Sequence, residues 1–170
     1  MPIEWHQEIE GPLLEGEGEE ILFRLAERAV ADIAGMLRAE VEARAPGGVT
    51  GALRGSIRSE VRGGSVEELQ GEVFSLSPYA AAAEEGRAPG GFPPWRPGTP
   101  LHAWVRRRTG APDREAGRVS FLVARAIARR GMPGRHMFRG ALEASQGRIE
   151  ERARRLGEEI AAALGGEGLS

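Results

Sequence analysis

Three histidines and one pair of adjacent glutamates are the residues of this sequence that could support metal or acid–base chemistry. His6, His102 and His136 lie far apart, and none has a second histidine three or four residues away on a predicted helix, the spacing at which two side chains share a metal ion. Each is therefore interpreted as a surface or loop histidine. Neighbouring side chains on a helix point about 100° apart, so Glu84 and Glu85 do not converge on one substrate. A structural role for one of them, ion-paired to an arginine, is favoured over catalysis.

Other kinds of catalytic site also lack a signature. The chain contains no cysteine, which excludes disulfides, cysteine nucleophiles and thiolate metal sites. The glycine-rich stretch APGGVTG at 45–51 follows a predicted helix instead of opening one, so it does not match a phosphate-binding loop. We therefore predict no catalytic residue, no metal ligand and no cofactor, and we expect a protein that is not an enzyme.

Two arginine clusters could bind a polyanion. In the stretch WVRRR, Trp104 precedes Arg106, Arg107 and Arg108 and could stack on a base while the guanidinium groups neutralise phosphates. The second cluster is RAIARR at 125–130. The other interpretation places Trp104 in the core, with the arginines facing water or a protein partner. The sequence favours this interpretation because no helix-turn-helix or similar reading element is evident, and nucleic-acid binding stays open as the alternative.

Charge is distributed unevenly along the chain, although the formal net charge is only −2. Residues 1–86 contain 17 acidic residues and 7 arginines, a net charge of −10, whereas residues 87–139 contain 12 arginines and 2 acidic residues, a net charge of +10. Residues 140–170 have a net charge of −2. Such asymmetry is typical of nucleic-acid binding or of assemblies in which the basic part of one subunit meets the acidic part of its neighbour.

A proline-rich loop presents two large aromatic residues. Phe92 and Trp95 lie in the stretch GRAPGGFPPWRP at 86–97, where the prolines leave little conformational freedom to be lost on binding. Tryptophan is a preferred anchor of protein interfaces. The sequence therefore predicts an interface here, for which the candidate residues are Phe92, Trp95, Arg96, Arg106, Arg107, Arg108, Glu84 and Glu85.

Hydrophobic spacing indicates the elements that must hold these residues. A long amphipathic helix is predicted over 19–45, a hairpin with strands near 57–62 and 69–76, a short helix over 79–85, a helix from Thr99-Pro100 to Gly110, a helix from Asp113 to Gly131 and a long helix over 139–164. Asp113 is predicted to cap its helix. In the helix from Asp113 to Gly131, the apolar residues that repeat at helical spacing are Val119, Leu122, Val123, Ala126 and Ile127, and this face is predicted to lie inward. In the last helix, the residues predicted to face inward are Leu142, Ile149, Leu156, Ile160 and Ala163.

This order of elements predicts an α+β fold, in which a small antiparallel sheet is packed by a long N-terminal helix, short middle helices and a long C-terminal helix. The length of 170 residues suits one domain. We expect a flexible arm over 1–18, a single domain over 19–164 and a frayed tail over 165–170.

Composition also predicts the environment of the protein. No run of 18 apolar residues occurs, so no membrane span is expected, and the acidic N-terminus lacks a signal-peptide pattern. We expect the protein to stay in the cytoplasm until assembly. All 23 basic residues are arginine and asparagine is absent, a bias that indicates a GC-rich genome, a thermophilic host, or both.

Four segments, taken in order, resemble the small neck proteins of long-tailed, siphovirus-type phages, which are described as tail-completion, tail-terminator or head–tail joining proteins. They are ARAPGGVTGALRGSI (43–57), SPYAAAAEEG (77–86), LHAWVRR (101–107) after the proline loop, and AIARRGMPGRHMFRGALE (126–143), followed by the long C-terminal helix. The resemblance covers residues 20–164.

The resemblance implies a virion protein with no enzymatic activity. It would form a ring, commonly a hexamer, between the head connector and the tail tube, where it ends tube polymerisation and receives the filled head. Its partners would be its own copies, the tail tube protein, the head–tail connector protein and the genomic DNA that passes through the lumen. On this basis the proline loop is expected to pack on a neighbouring subunit or on the tube.

Overall fold

The computed structural model of the chain describes residues 17–47 and 51–165. Within these ranges there are six helices and four short strands. In chain order they are α1 (Gly18–Arg44), α2 (Ala52–Gly55), β1 (Ile57–Arg62), β2 (Gln70–Ser75), α3 (Ala80–Glu85), β3 (Gly86–Arg87), α4 (Pro100–Thr109), α5 (Asp113–Arg130), β4 (Met132–Pro133) and α6 (Met137–Leu164). The predicted α+β class is confirmed, since long helices at both ends accompany small antiparallel strand pairs.

The described residues group into two compact units. Unit 1 takes those within 1–37, 59–73 and 144–170, and unit 2 takes those within 38–58 and 74–143. The single domain predicted over 19–164 stays a prediction. The predicted arm and tail lie almost wholly outside the described residues, apart from Glu17, Gly18 and Gly165 at their edges.

In unit 1, α1 buries the small side chains Ala26, Ala29 and Ala34. The hairpin of β1 and β2 lies close to α1, because a Cβ atom at Gly71 would be only 2.9 Å from the Cγ1 atom of Val30. Glycine therefore permits an approach that any larger residue would prevent. An ion pair also links α6 to α1 within this unit: the Arg152 Nε atom lies 2.9 Å from the Asp32 carboxylate.

In unit 2, α4 and α5 pack on each other through small and β-branched side chains. Val105, Ala116, Ser120 and Ala124 are completely buried, and the Ser120 hydroxyl donates to the Ala116 carbonyl at 2.7 Å. That internal hydrogen bond lets a polar side chain be buried without a desolvation penalty.

The predicted ends of α4 are confirmed. Its first helical residue is Pro100, and the Thr99 hydroxyl accepts a hydrogen bond from the His102 backbone N–H at 3.4 Å. Gly110 follows the helix with a φ of 68°, the left-handed conformation that favours glycine at a helix C-terminus.

The predicted inward face of α5 is only partly correct, since Val119, Val123 and Ile127 are half-buried. Leu122 is 58% exposed and Ala126 is also exposed, whereas Ala116, Ser120 and Ala124 are buried. At about 100° per residue, the buried stripe is rotated by about a quarter turn from the most apolar one. Close packing between helices selects small residues, so hydrophobicity alone misplaces the face.

Smaller predictions also need correction. Asp113 is the first residue of α5 and not its N-cap, because Pro112 takes the cap position without a side-chain hydrogen bond. Leu142 is 51% exposed, while Met137, Ala141 and Ser145 form the buried face at the start of α6. The one-turn helix α2 was not predicted, because four residues are too few for a periodic signal.

Candidate interaction surface

The proline loop lies on α5 of its own unit. The Phe92 ring stacks on Phe121 with centroids 6.0 Å apart, and the Trp95 ring meets Phe121 edge-on at 5.2 Å. The Gly90 backbone N–H donates to the Ala128 carbonyl at 2.8 Å, which fixes the other end of the loop. The loop is therefore held in place before any partner binds.

We call Phe92, Trp95 and Phe121 the aromatic cluster. Phe92 is 51% exposed and Phe121 is also exposed, while Trp95 is half-buried. The Arg96 guanidinium lies 5.9 Å from the Trp95 ring centroid, within the range of a cation–π contact. Each ring thus has one side packed inside the unit and another side open, an arrangement suited to binding a partner with little loss of entropy.

Exposed apolar side chains are concentrated in unit 2. All the large exposed hydrophobic residues among those that the structure describes belong to it: Leu76, Tyr79, Phe92, Trp104, Phe121, Leu122, Met132 and Leu142. Scattered exposed apolar residues are ordinary, so only the contacting rings of the aromatic cluster and the adjacent Leu122 are taken as an interaction surface.

The arginines after Trp104 lie at the surface, as predicted, but Trp104 does not lie in the core. Its side chain is 41% exposed, and Val105 is the buried apolar residue of that turn. Arg106, Arg107 and Arg108 are exposed, and the Arg106 Nε atom is 3.0 Å from the Asp113 carboxylate. Interpreting Trp104 as a core residue was wrong because His102, and not Trp104, shares the buried face of α4 with Val105.

Glu84 and Glu85 have separate structural roles in unit 2. The Glu84 carboxylate accepts hydrogen bonds from the backbone N–H groups of Phe138, at 2.9 Å, and Arg139, at 3.1 Å. These are free donors in the first turn of α6, where a negative charge is also favoured by the helix dipole. Glu85 is exposed and lies 3.8 Å from the Arg139 guanidinium. An arginine lies beside one glutamate, as predicted, but that glutamate is the exposed Glu85, whereas the structural role belongs to Glu84 and comes from backbone donors and not from an ion pair.

Glycines bring the chain around these glutamates into contact with the segment before α6. β3 pairs with β4 in the register Gly86 to Pro133 and Arg87 to Met132. A Cβ atom at Gly86, Gly131 or Gly134 would collide with backbone atoms of the facing segment, so only glycine fits there. No spacing pattern predicted this two-residue pairing, although the stretch MPGRHMF was rich in turn residues.

The histidines occupy unlike environments. His102 is 3% exposed, with its Nε2 atom 3.4 Å from the Asp113 carbonyl oxygen, so its prediction as a surface residue was wrong. His136 is exposed as predicted and has a φ of 48°, an uncommon left-handed conformation just before α6. His6 lies outside the described residues. Within residues 17–47 and 51–165, no three His, Asp or Glu side chains are grouped as a metal site would need.

No protein-family model, curated protein or solved structure matches this chain. Among the helices that the structure describes, none combines the length and apolarity needed to cross a bilayer.

Proposed function

We propose that the chain is a structural virion protein of a long-tailed phage, which forms a ring at the head–tail junction. In this role it terminates the tail tube and joins it to the head connector, and DNA passes through the lumen. The protein works in the neck of the virion after synthesis in the host cytoplasm. It acts through its surfaces and performs no enzymatic reaction.

The observation that carries the proposal is the exposed apolar surface of unit 2. The aromatic cluster is held on α5, and Leu122 beside it is 58% exposed. Aromatic residues and arginines are the residue types enriched at the centres of protein interfaces. A ring needs such a surface, because each subunit must present one patch to a different patch of the next.

The segments that resemble phage neck proteins also support the proposal, because all four belong to unit 2. The second and fourth segments contact each other there: Glu84, in the second, caps α6 in the fourth, and Gly134 approaches the Glu84 carbonyl. In the first segment, the Arg54 guanidinium donates to the Ala45 carbonyl at 3.0 Å. The resemblance therefore falls on residues that build one unit rather than on unrelated surface positions.

The direct test is assembly with the tail tube protein from the same phage. We expect the protein to cap tube ends and fix tube length in electron micrographs, and native mass spectrometry to find closed rings, alone or on the tube. Tubes that grow to the same unlimited length with and without the protein would contradict the proposal.

A matched pair of variants tests the role of the aromatic cluster. Phe92→Ser should abolish capping, whereas Tyr79→Ser should leave it intact, because Tyr79 is an equally exposed aromatic residue outside the cluster. Circular dichroism of both variants checks that the fold is retained. If the two variants cap tube ends equally well, the aromatic cluster is not part of the interface.

Nucleic-acid binding is the second candidate function, favoured by the excess of arginine over residues 87–139. If it were the main activity, duplex DNA affinity would fall steeply with salt, with a slope near one per neutralised phosphate. Fluorescence anisotropy at several salt concentrations measures that slope, and a slope close to zero would exclude this function.

A further inference from the structure

Helix α5 carries a row of four arginines on one face. Arg114, Arg118, Arg125 and Arg129 lie within about 60° of one another around the helix axis and extend over about 22 Å, at about 100° and 1.5 Å per residue. We call these four residues the arginine row. The buried residues Ala116, Ser120 and Ala124 are on the opposite side of the helix.

These four side chains are exposed and form no ion pair or hydrogen bond with the residues that the structure describes. Some arginines elsewhere are paired, for example Arg152 with Asp32 and Arg154 with Glu151. Four like charges on one face repel one another, so an anionic partner would relieve the repulsion.

Apolar groups interrupt the arginine row at its centre. Phe121 and Leu122 lie between Arg118 and Arg125, and Phe92 stacks on Phe121. A duplex backbone would be bound through charge and polar donors, and an exposed leucine in the middle adds nothing to phosphate binding. An apolar centre with a charged rim is instead the anatomy of a protein interface. The geometry therefore favours a protein partner that presents an apolar hollow with an acidic rim.

Unit 1 contains a hollow of that description. Its volume is about 320 Å³, and it is lined by Glu19, Glu20, Phe23, Gly64, Ser65 and Val66. Phe23 and Val66 are half-buried, and Glu67 and Glu68 follow directly in the turn. Glu19, Glu67 and Glu68 form no ion pair with described residues, and Glu20 has only an exposed contact with Arg24 at 3.8 Å. We call this feature the acidic hollow.

Two other hollows have the wrong charge for the arginine row. One is lined by Arg106 and Arg107 with neighbouring small residues. Another is lined by Arg148, Arg152 and Arg155 with a single glutamate, Glu151. Like charge would oppose docking at either hollow.

We propose that the arginine row of one copy, with Leu122 and Phe92 at its centre, docks on the acidic hollow of a second copy. The inference rests on the proposed ring and names the surfaces that build it. Because the two surfaces are different, each copy offers its row to one neighbour and its hollow to another, and such contacts close into a ring when the rotation allows.

Cysteine cross-linking tests this contact without interference, because the chain has no cysteine of its own. A Leu122→Cys variant, labelled with heavy nitrogen, is mixed with an unlabelled Val66→Cys variant under mild oxidation. The control mixture replaces Leu122→Cys by Leu142→Cys, which alters a similarly exposed leucine outside the row. We expect mixed disulfide dimers to form at least ten times faster in the first mixture. Equal rates would overturn the proposal.

Charge reversal provides an independent readout. In one chain R118E/R125E is combined with Leu122→Cys, and this chain should cross-link slowly with the Val66→Cys variant. A partner that carries E67R/E68R together with Val66→Cys should restore rapid cross-linking. The proposal would be overturned if each charge variant, mixed with a partner of unaltered charge, cross-linked at the rate of the unaltered pair and if combining the two variants restored nothing. If R118E/R125E instead removes salt-dependent binding of duplex DNA while no mixed dimer forms, the row binds nucleic acid and the proposal fails.

The outcomes also separate this inference from the proposed function. Rings that cap tail tubes without any preferred cross-link between positions 122 and 66 would leave the ring in place and overturn this interface. A preferred cross-link in a protein that never closes a ring or caps a tube would support the contact and overturn the proposed function.

Discussion

At the scale of single residues, Glu84 and Glu85 are identical in type and adjacent in sequence, yet they act differently. The Glu84 carboxylate accepts two backbone N–H groups of α6, while Glu85 makes a longer and exposed contact with Arg139. A carboxylate that satisfies free donors at a helix start stabilises the fold far more than an exposed ion pair does.

Glu84→Ala should therefore lower the free energy of unfolding by about 1–2 kcal/mol, the range found for lost helix caps. Glu85→Ala is the matched control and should change it by less than about 0.5 kcal/mol. Urea denaturation followed by circular dichroism measures both. Equal losses in the two variants would show that the contact between Glu84 and α6 does not stabilise the protein.

The ion pairs of Glu151 predict that the stability of the protein depends on pH. The hydrogen bond from Arg154 has the largest effect on the Glu151 carboxyl. Together with the hydrogen bond from Arg155, it holds the pKa of this carboxyl below its ordinary value of 4.5. The pKa of Glu151 is lower in the folded protein than in the unfolded chain. The hydrogen bonds from Arg154 and Arg155 therefore stabilise the fold fully at a pH above the unfolded-state pKa, and this stabilisation is lost as the pH falls through the folded-state pKa. Carbon NMR titration should find the midpoint below 4.5, and R154Q/R155Q should move it back up. A midpoint at the ordinary value in the unaltered protein would contradict the assignment.

At the scale of elements, α5 turns its small side chains inward and some of its large ones outward. Ala116, Ser120 and Ala124 are completely buried, while Phe121 and Leu122 are exposed. Small residues allow two helices to approach closely, so the packing against α4 and not the apolar content of the sequence decides the orientation. The outward residues then become available for the aromatic cluster.

Larger side chains on the buried side of α5 should destabilise the protein. Ala124→Leu adds three carbons to a completely buried side chain and should lower the free energy of unfolding by about 1–3 kcal/mol. Ala126→Leu, two residues along on the exposed side, should change stability by less than about 0.5 kcal/mol. Thermal denaturation of both variants distinguishes them, and the opposite order would mean that α5 is rotated as its hydrophobic pattern predicted.

At the scale of the whole molecule, charge segregation suits contacts between copies. The arginine row of unit 2 and the acidic hollow of unit 1 carry opposite charges, and the members named above have few internal partners. Attraction between exposed charges is screened by salt, since the Debye length falls from about 30 Å at 0.01 M to about 3 Å at 1 M.

Association between copies should accordingly weaken as salt rises over that range, most strongly through slower association. Sedimentation velocity at several salt concentrations measures it. The R118E/R125E variant should show little salt dependence, which separates these contacts from general effects of salt on solubility. Association that strengthens with salt in the unaltered protein would indicate that apolar burial dominates and that the charges are incidental.

The sequence by itself determined that the longer helices and the hairpin of β1 and β2 form, and approximately where they end. Thr99, Pro100 and Gly110 delimit α4 through local chemistry, and the apolar spacing of α1 requires a long amphipathic helix. Such signals depend on neighbours in the chain, so they can be read from it. The aromatic loop was also predictable, because the prolines around Phe92 and Trp95 exclude a regular helix or a central strand there.

Only the tertiary structure decided which faces are buried and which distant residues meet. The pairing of Gly86 with Pro133, the cap that Glu84 provides for α6 and the burial of His102 join residues that are far apart in sequence or depend on packing between helices. No local pattern encodes these contacts, because they arise when closely packed elements select the side chains that fit. For the same reason, only the tertiary structure showed that the arginine row is exposed and lies opposite the buried side of α5.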